Sequence, residues 1–330
     1  MNSEMSSIVR EAARAYAQAS AACISLGVAV ELSTNGFQAA RGVAALQAIT
    51  GNLDIAGGAV FLYEAELSDL PQMKSDSGRM LLKEEYRKFM TKLEEKSGRK
   101  ITAEGLTKGI ETVNAKRRAV KRLAELRKAD PAPISGLDAL LVNQVFFYDD
   151  PTRFTASVNA LCDELEERVK KGEGVFPKGT PRVLMSGCPM AVPNWKVPFI
   201  IETSGAVIVG EESCVGERGT RWLTGDEGGG VAEMLEAITE RYFKIDCAVF
   251  TPNPSRVDHV RDMFGRYNAG GVIHYSLQFC HPYIVESGPV EANLEGSGIP
   301  VLRLETDYSQ EDSGQIKTRV EAFLERIQEK

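Results

Sequence analysis

The chain has 330 residues, of which 43% are hydrophobic and 26% charged, and 46 acidic against 39 basic side chains give a net charge of −7. This composition excludes a disordered tail, a collagen and a coiled rod. No stretch approaches the roughly 20 apolar residues of a membrane span, and no signal-peptide pattern opens the sequence, so we expect a cytoplasmic protein that binds no membrane. The acidic excess also disfavours a general nucleic-acid binder.

Basic residues are distributed unevenly along the chain. Residues 1–73 contain no lysine, whereas residues 74–128 carry 17 basic against 8 acidic side chains. We interpret the basic segment as a solvated helical face, with a docking surface for an acidic partner or for coenzyme A phosphates as the alternative. So sharp a change in composition suggests that the two segments have different origins or roles.

Hydrophobic periodicity predicts a largely helical first half. Apolar residues recur at helical spacing in six segments, at 5–18, 36–50, 82–97, 102–128, 135–147 and 153–171. Thr102 is typical of an N-cap, and the apolar run 21–30 predicts a strand. The stretch 170–181 is rich in glycine and proline, which indicates an interdomain linker.

Strands and helices alternate after this linker. The apolar runs predict strands at 182–186, 206–210, 247–250, 271–276 and 301–305. The periodic segments predict helices at 194–204, 231–242, 255–267, 282–294 and 310–329. Apolar strands separated by helices indicate an α/β fold, a doubly wound parallel sheet covered on both faces.

The six cysteines include no closely spaced pair. Four of them follow or lead predicted strands, namely Cys188, Cys214, Cys247 and Cys280. Because the carboxyl ends of parallel strands share one edge of a sheet, these loops predict a shared thiolate site. An isolated cysteine is more often a small buried hydrophobe, and we interpret Cys23 and Cys162 in that way.

Thiolates bind zinc or iron–sulfur clusters. Zinc sites usually include a close pair of ligands, which this sequence lacks, so a cluster held by scattered loops is the favoured interpretation. The histidines show no metal-binding spacing, and His259 is expected to be solvated. The glycine-rich stretch 225–230 has no following Lys-Ser/Thr and is therefore no phosphate loop.

Several short stretches resemble the 2-hydroxyacyl-CoA dehydratase/benzoyl-CoA reductase family. They are LPQM at 70–73, KITAE at 100–104, NAKRR at 114–118, PISG at 133–136, SGCP at 186–189, EESCVG at 211–216, RY at 241–242, ETDYS at 305–309 and GQIKTRVEAF at 314–323. The resemblance covers about residues 66–330. The cysteine-containing loops are most similar to the branch with double-cubane clusters.

This resemblance implies flavodoxin-like α/β lobes and a homodimer or heterodimer with oxygen-sensitive iron–sulfur clusters, of the 4Fe-4S or double-cubane type. It implies a separate ATP-hydrolysing activator, itself an iron–sulfur protein, as the source of electrons. It also suggests cluster ligands at Cys188, Cys214, Cys247 and Cys280. The expected function is single-electron transfer to a small or CoA-bound substrate.

Residues 1–62 instead resemble an internal fragment of a molybdopterin oxidoreductase, although so short a segment is not expected to hold molybdopterin. We therefore predict three parts: a fragment at 1–65, a helical region at 66–175 and an α/β cluster-binding domain at 176–330. Four cysteines are fewer than a double cubane requires. An inactive fusion remnant that serves as a structural or interaction module is thus the alternative, and a molybdopterin enzyme is the least favoured hypothesis.

Overall fold

The computed structural model describes residues 3–19, 46, 50, 74–190, 194–225, 228–250 and 253–329. Cys23, the predicted strand at 21–30 and nearly all of the predicted helix at 36–50 lie outside these residues. The chain forms two compact units, Met1–Leu70 with Asp307–Ser309, and Pro71–Thr306 with Gln310–Lys330. The domain boundaries expected after residues 65 and 175 stay predictions.

The predicted helices of the first half are confirmed wherever the structure describes them. Within the first unit, α1 spans Ser3–Gln18. The second unit begins with four helices: α2 (Asp76–Ser97), α3 (Ala103–Leu126), α4 (Gly136–Val145) and α5 (Pro151–Lys171). Each of these four helices has an N-cap residue whose side-chain oxygen accepts a hydrogen bond from a backbone N–H of the first turn. At α3 this residue is Thr102, which accepts from the Gly105 N–H at 3.1 Å.

Helices α3 and α5 pack against each other around a small apolar core. Leu123 of α3 lies against Phe154, Cys162 and Leu165 of α5, and all four side chains are buried. Helix α2 has no buried residue, so the solvated face predicted for the basic segment is confirmed for α2. It is wrong for α3, which buries Arg117 among other basic side chains.

The second half forms the predicted doubly wound parallel sheet. Its strands are β1 (Arg182–Gly187), β2 (Val207–Glu212), β3 (Gly271–Leu277) and β4 (Val301–Thr306). They are all parallel and lie in the order β2-β1-β3-β4. Every residue of the first three strands is buried, as expected for a sheet covered on both faces.

The segments between and after the strands form six helices. They are α6 (Lys196–Thr203), α7 (Glu217–Thr220), α8 (Val231–Phe243), α9 (Pro254–Arg266), α10 (His281–Glu295) and α11 (Ser313–Gln328). Met263 of α9 and Leu294 of α10 pack with Leu184, Val209 and Val272 of the sheet. The chain crosses the sheet in one direction from β1 to β2 and in the opposite direction from β2 to β3. Because such crossovers are right-handed, α6 lies on the face of the sheet opposite to α9 and α10.

Two further expectations are wrong. The segment predicted as extended at 247–250 instead forms a 3₁₀-helix, Ala248–Phe250, in which the Phe250 N–H donates to the Cys247 carbonyl at 3.0 Å. A four-residue apolar run is compatible with either structure. His259 is not solvated, because it is mostly buried and its Nδ1 contacts the carboxylate of Asp246.

Within the described ranges, no helix combines the length and apolarity needed to cross a bilayer.

Candidate thiolate site and adjoining cavity

Cys188 and Cys280 meet at the point where the strand order of the sheet reverses. Strand β1 pairs with β2 on one side and with β3 on the other, and the crevice at such a switch point is the usual ligand site of an open α/β sheet. Cys188 directly follows β1, and Cys280 lies in the loop after β3. Both cysteines bond to Leu277, whose N–H donates to the Cys188 Sγ at 3.3 Å and whose carbonyl accepts from the Cys280 N–H at 2.9 Å.

The backbone holds Cys188 firmly. Its N–H donates to the Tyr275 carbonyl at 2.9 Å, and its Sγ accepts from the Leu277 N–H at 3.3 Å. Gly187 has a φ of +109°, and a Cβ at that position would lie 2.1 Å from the Tyr275 oxygen, so only glycine fits. Burial raises the pKa of Cys188, against the opposing influence of the Leu277 N–H and Arg218. The free thiol is therefore protonated, and a bound metal would have to displace that proton.

The Cys280 loop has a backbone conformation that non-glycine residues rarely adopt. Phe279 has a φ of +68°, and its ring is 67% exposed. The Gln278 N–H donates to the Thr306 carbonyl and the Cys280 N–H to the Leu277 carbonyl, both at 2.9 Å. Such conformations persist where surrounding contacts impose them, and they cluster at functional sites.

Cys214 lies in the turn between β2 and α7, beside a buried arginine. Arg218 Nη1 is 3.7 Å from the Cys214 Sγ. The same guanidinium forms a two-pronged ion pair with Glu212, with both bonds at 2.7 Å, and donates to the Tyr283 hydroxyl. Because planar paired bonds fix a guanidinium in position, the charge next to Cys214 is held in place.

A second buried arginine extends this charged cluster beneath the loops. Arg256 Nε lies 2.9 Å from a Glu286 oxygen, and its Nη1 is 3.7 Å from Glu212. Burial raises the pKa of Glu286, which the two nearby arginines oppose. The opposite charges attract one another, but Nε and Nη1 of Arg256 and both carboxylate oxygens of Glu286 are buried without a hydrogen-bond partner among the described residues.

Cys247 immediately precedes the 3₁₀-helix, and its carbonyl accepts from the Asn253 side chain at 3.2 Å. Tyr283 lies within electrostatic range of the Cys247 and Cys214 thiols, and burial is the main reason why the pKa of Tyr283 is raised. Cys188 and Cys280 therefore both bond to Leu277, Cys214 lies beside Arg218, and Cys247 lies within electrostatic range of Tyr283.

The described residues contain no group of three or more His, Cys, Asp or Glu side chains placed to hold one metal ion. In an iron–sulfur cluster the thiolates bind different iron atoms, so their sulfurs lie further apart than the ligands of a single ion. Cys162 stands apart from this site, because it is fully buried in the α3–α5 core and burial raises its pKa to about 11.

A cavity of about 220 Å³ opens beside Cys214. Apolar side chains form much of its wall, and three buried arginines also line it: Arg117 of α3, Arg241 of α8 and Arg218, which is paired with Glu212. Burial lowers the pKa of Arg117 and Arg241, and the proximity of Arg117 helps to lower that of Arg241 to about 10. The apolar part of the wall consists of Val120, Phe146, Phe147, Val215 and Ile245.

Sequence reasoning missed Arg117 and Arg241 as site residues, although two signals were present. Arg117 occupies one position of the apolar stripe of α3 between Val113 and Val120, where a charged residue is unexpected. Both arginines also stand in stretches that carry the family resemblance, 114–118 and 241–242. What the sequence did not show is that the two guanidiniums share one cavity.

The sequence matches a known protein family and several named relatives. The family model for the 2-hydroxyglutaryl-CoA dehydratase D-component matches residues 59–327. A protein named "Putative dehydratase subunit YjiM" from Escherichia coli (strain K12) is 32% identical over 257 residues, which is 77% of this chain and 66% of the relative. The (R)-phenyllactyl-CoA dehydratase beta subunit of Clostridium sporogenes is 26% identical over 255 residues, 77% of this chain and 65% of the relative.

A third relative, the (R)-2-hydroxyglutaryl-CoA dehydratase subunit beta of Acidaminococcus fermentans, is 23% identical over 268 residues, 78% of this chain and 67% of the relative. The chain thus spans about two thirds of the length of these curated relatives. The comparisons give no support to the molybdopterin-oxidoreductase likeness expected for residues 1–62. Because the family model covers most of the sequence, the chain belongs to the 2-hydroxyglutaryl-CoA dehydratase D-component family.

Proposed function

We propose that this protein is the iron–sulfur component of a 2-hydroxyacyl-CoA dehydratase system and that Cys188, Cys214, Cys247 and Cys280 hold its cluster. The observation that carries the proposal is that Cys188 and Cys280 lie together at the switch point of the sheet, where both bond to Leu277. Membership of the dehydratase family supports the same function.

The donor set suits such a cluster chemically. Four cysteines supply soft ligands of the kind that iron–sulfur clusters take, and no carboxylate competes with them in direct contact with the Cys188–Cys280 pair among the contacts of the described residues. A bound cluster, whether of 4Fe-4S or double-cubane type, would supply single electrons at low potential. Arg218 then stabilises negative charge on the Cys214 sulfur, which it approaches to 3.7 Å.

The reaction in this proposal removes water from a 2-hydroxyacyl-CoA. The substrate loses its hydroxyl group and a hydrogen as water, so the net reaction neither oxidises nor reduces it. The electron transferred to the substrate is therefore returned at the end of the reaction. Its source would be an ATP-hydrolysing iron–sulfur activator. Cys188 is buried and would hold the cluster on its interior side, whereas Cys280 is partly exposed and would hold it on the side that a partner can reach.

Partner chains belong to the proposal as well. The relatives from Clostridium and Acidaminococcus are named as beta subunits, so we propose a homodimer or heterodimer in addition to the activator. Phe279, which adjoins Cys280, and Val285 in the next turn of α10 are 67% and 66% exposed. Buried at a protein interface, these apolar side chains would shield the loop from water. We also propose a cytoplasmic location, where cysteines stay reduced.

Anaerobic purification followed by iron and sulfide quantitation and electron paramagnetic resonance tests the proposal. We expect iron and sulfide in the wild-type protein, their loss in Cys188→Ala and Cys280→Ala, and full retention in Cys162→Ala, which removes a buried cysteine outside the site. Iron-free wild-type protein after anaerobic reconstitution would contradict the proposal and favour a structural or interaction module.

A further inference from the structure

Three buried arginines line one cavity, and two of them, Arg117 and Arg241, have no carboxylate partner, whereas Arg218 pairs with Glu212. Arg117 and Arg241 are 4% and 3% exposed. Arg117 donates to Asn114 Oδ1 at 3.2 Å, to Thr224 Oγ1 at 3.1 Å and to the Tyr242 hydroxyl at 3.4 Å. These acceptors are all neutral, so they satisfy hydrogen bonds and leave the charge uncompensated.

Arg241 is in the same situation. Its Nε donates to the Trp222 carbonyl at 3.2 Å and its Nη2 to the Gly219 carbonyl. Among the described residues, Nη1 of Arg241 has no acceptor, and Nε of Arg117 is buried without one. Two like charges in a low-dielectric environment repel each other. An anion bound between them would attract both guanidiniums and offset this repulsion.

Several other buried cations among the described residues show the contrast, although Lys116, which donates to the Phe146 carbonyl, has no carboxylate partner either. Arg127, Arg218 and Lys196 each lie within 2.7 Å of a carboxylate oxygen. Arg182 has no carboxylate, but it donates to the main-chain carbonyls of four residues and lines no cavity described above. Arg117 and Arg241 combine an uncompensated charge with an open space in front of them.

The cavity indicates what kind of anion fits. Of the described residues that line it, none is acidic, and apolar side chains such as Phe146 and Val215 predominate. An inorganic anion would leave those walls in contact with water, whereas a carboxylate on a short hydrocarbon chain would cover them. The volume of about 220 Å³ suits an acyl group rather than an entire coenzyme.

We propose that this cavity binds a short-chain organic carboxylate, with its anionic head between Arg117 and Arg241 and its hydrocarbon chain against the apolar wall beside Cys214. The identification of this ligand as the acyl end of the substrate rests on the proposed function. The binding itself requires only the geometry of this cavity.

Calorimetric titration of the full-length protein with pentanoate tests this proposal, with pentanamide and inorganic phosphate as parallel probes. We expect one pentanoate site, no measurable binding of pentanamide, and phosphate binding at least tenfold weaker than that of pentanoate. Arg117→Gln and Arg241→Gln should each weaken pentanoate binding at least tenfold, about 1.4 kcal/mol. Arg122→Gln is the matched control. Arg122 lies in the same helix but outside the cavity, where it pairs with Glu166, so this variant should bind pentanoate as tightly as the wild-type protein.

Arg117→Lys and Arg241→Lys keep the positive charge. If the charge binds the carboxylate, these variants should retain more affinity for pentanoate than the glutamine variants, whereas a purely structural effect would weaken binding in both. Absence of pentanoate binding to the wild-type protein, equal binding of pentanamide, or equal affinity in the arginine and glutamine proteins would overturn the proposal. Phosphate that binds as tightly as pentanoate would overturn the assignment to a carboxylate. Iron is quantified in the same samples, so failure of this site and failure of the proposed cluster are distinguishable.

Discussion

Arg127 and Glu211 form a buried two-pronged ion pair in which Nη1–Oε2 and Nη2–Oε1 are both 2.7 Å. Arg127 caps the end of α3, and Glu211 lies near the end of β2. Arg127 also donates to the Ile208 carbonyl at 2.8 Å. The pair therefore joins the helical region to the sheet strand that leads to Cys214.

Replacing one partner of this pair should be far more costly than replacing both. Arg127→Met leaves Glu211 buried without a countercharge, and we expect it to lower the free energy of unfolding by about 3–5 kcal/mol. The double variant Arg127→Met/Glu211→Leu should lose much less, because no charge is left unpaired. Urea unfolding measures both. Arg261→Met, which breaks an exposed pair with Asp258, is the control and should change stability by less than about 1 kcal/mol.

Two glycines separate backbone strain from steric clash next to Cys188. Gly187 and Gly205 both have positive φ, +109° and +94°, but a Cβ on Gly205 would meet nothing within 4 Å. We expect Gly205→Ala to lose about 1 kcal/mol from strain alone and Gly187→Ala at least about 2 kcal/mol more, from the clash with Tyr275. Thermal or urea unfolding checks the difference. Equal losses in the two variants would show that β1 and β3 can separate at no cost.

Removal of iron should leave Cys188 and Cys280 able to form a disulfide, because both bond to Leu277 and therefore lie close together. After chelation of iron, the oxidant diamide should accept the two thiol hydrogens and leave one intrachain bond, detected by peptide mass spectrometry. Cys280→Ala should abolish this bond, while Cys162→Ala should have no effect, since burial holds the Cys162 pKa at about 11. A bond that forms instead between other cysteines would contradict the predicted proximity.

Stability should fall as the pH falls below about 6.5, partly because of His274. Burial, together with Arg256, Arg218 and Arg303, lowers the pKa of this histidine to about 3 from a reference value of 6.5. Between these values the unfolded chain binds a proton that the folded protein does not, so unfolding is favoured by up to about 1.4 kcal/mol for each pH unit. Above about pH 6.5 neither state binds this proton, and the contribution disappears.

Urea unfolding of wild type and His274→Gln at several pH values isolates this contribution, because the remaining titrating groups are common to both proteins. The variant should show a shallower loss of stability between about pH 6.5 and pH 4.5. Parallel curves would mean that His274 is protonated in the folded state, beside Ser186, which it contacts at 3.3 Å.

Local signals accounted for the elements and for one pair in the site. Helix α3 begins where Thr102 predicts, since its cap needs only residues three positions apart. The buried strands were recognisable as apolar runs, and because parallel strands end at one edge, the proximity of Cys188 and Cys280 followed from topology. The element at Cys247 was predicted wrongly, because four apolar residues do not distinguish a strand from a 3₁₀-turn.

The α/β class, the order of elements and the cysteine-bearing loops can be inferred from local patterns, because periodicity and capping act between neighbours in the chain. Which charges compensate one another is visible only in the folded protein. Arg127 finds Glu211 across 84 positions, while Arg117 and Arg241 share a cavity in which no described residue is acidic. Electrostatic energies depend on distance and burial in space, and neither quantity can be obtained from spacing along the chain.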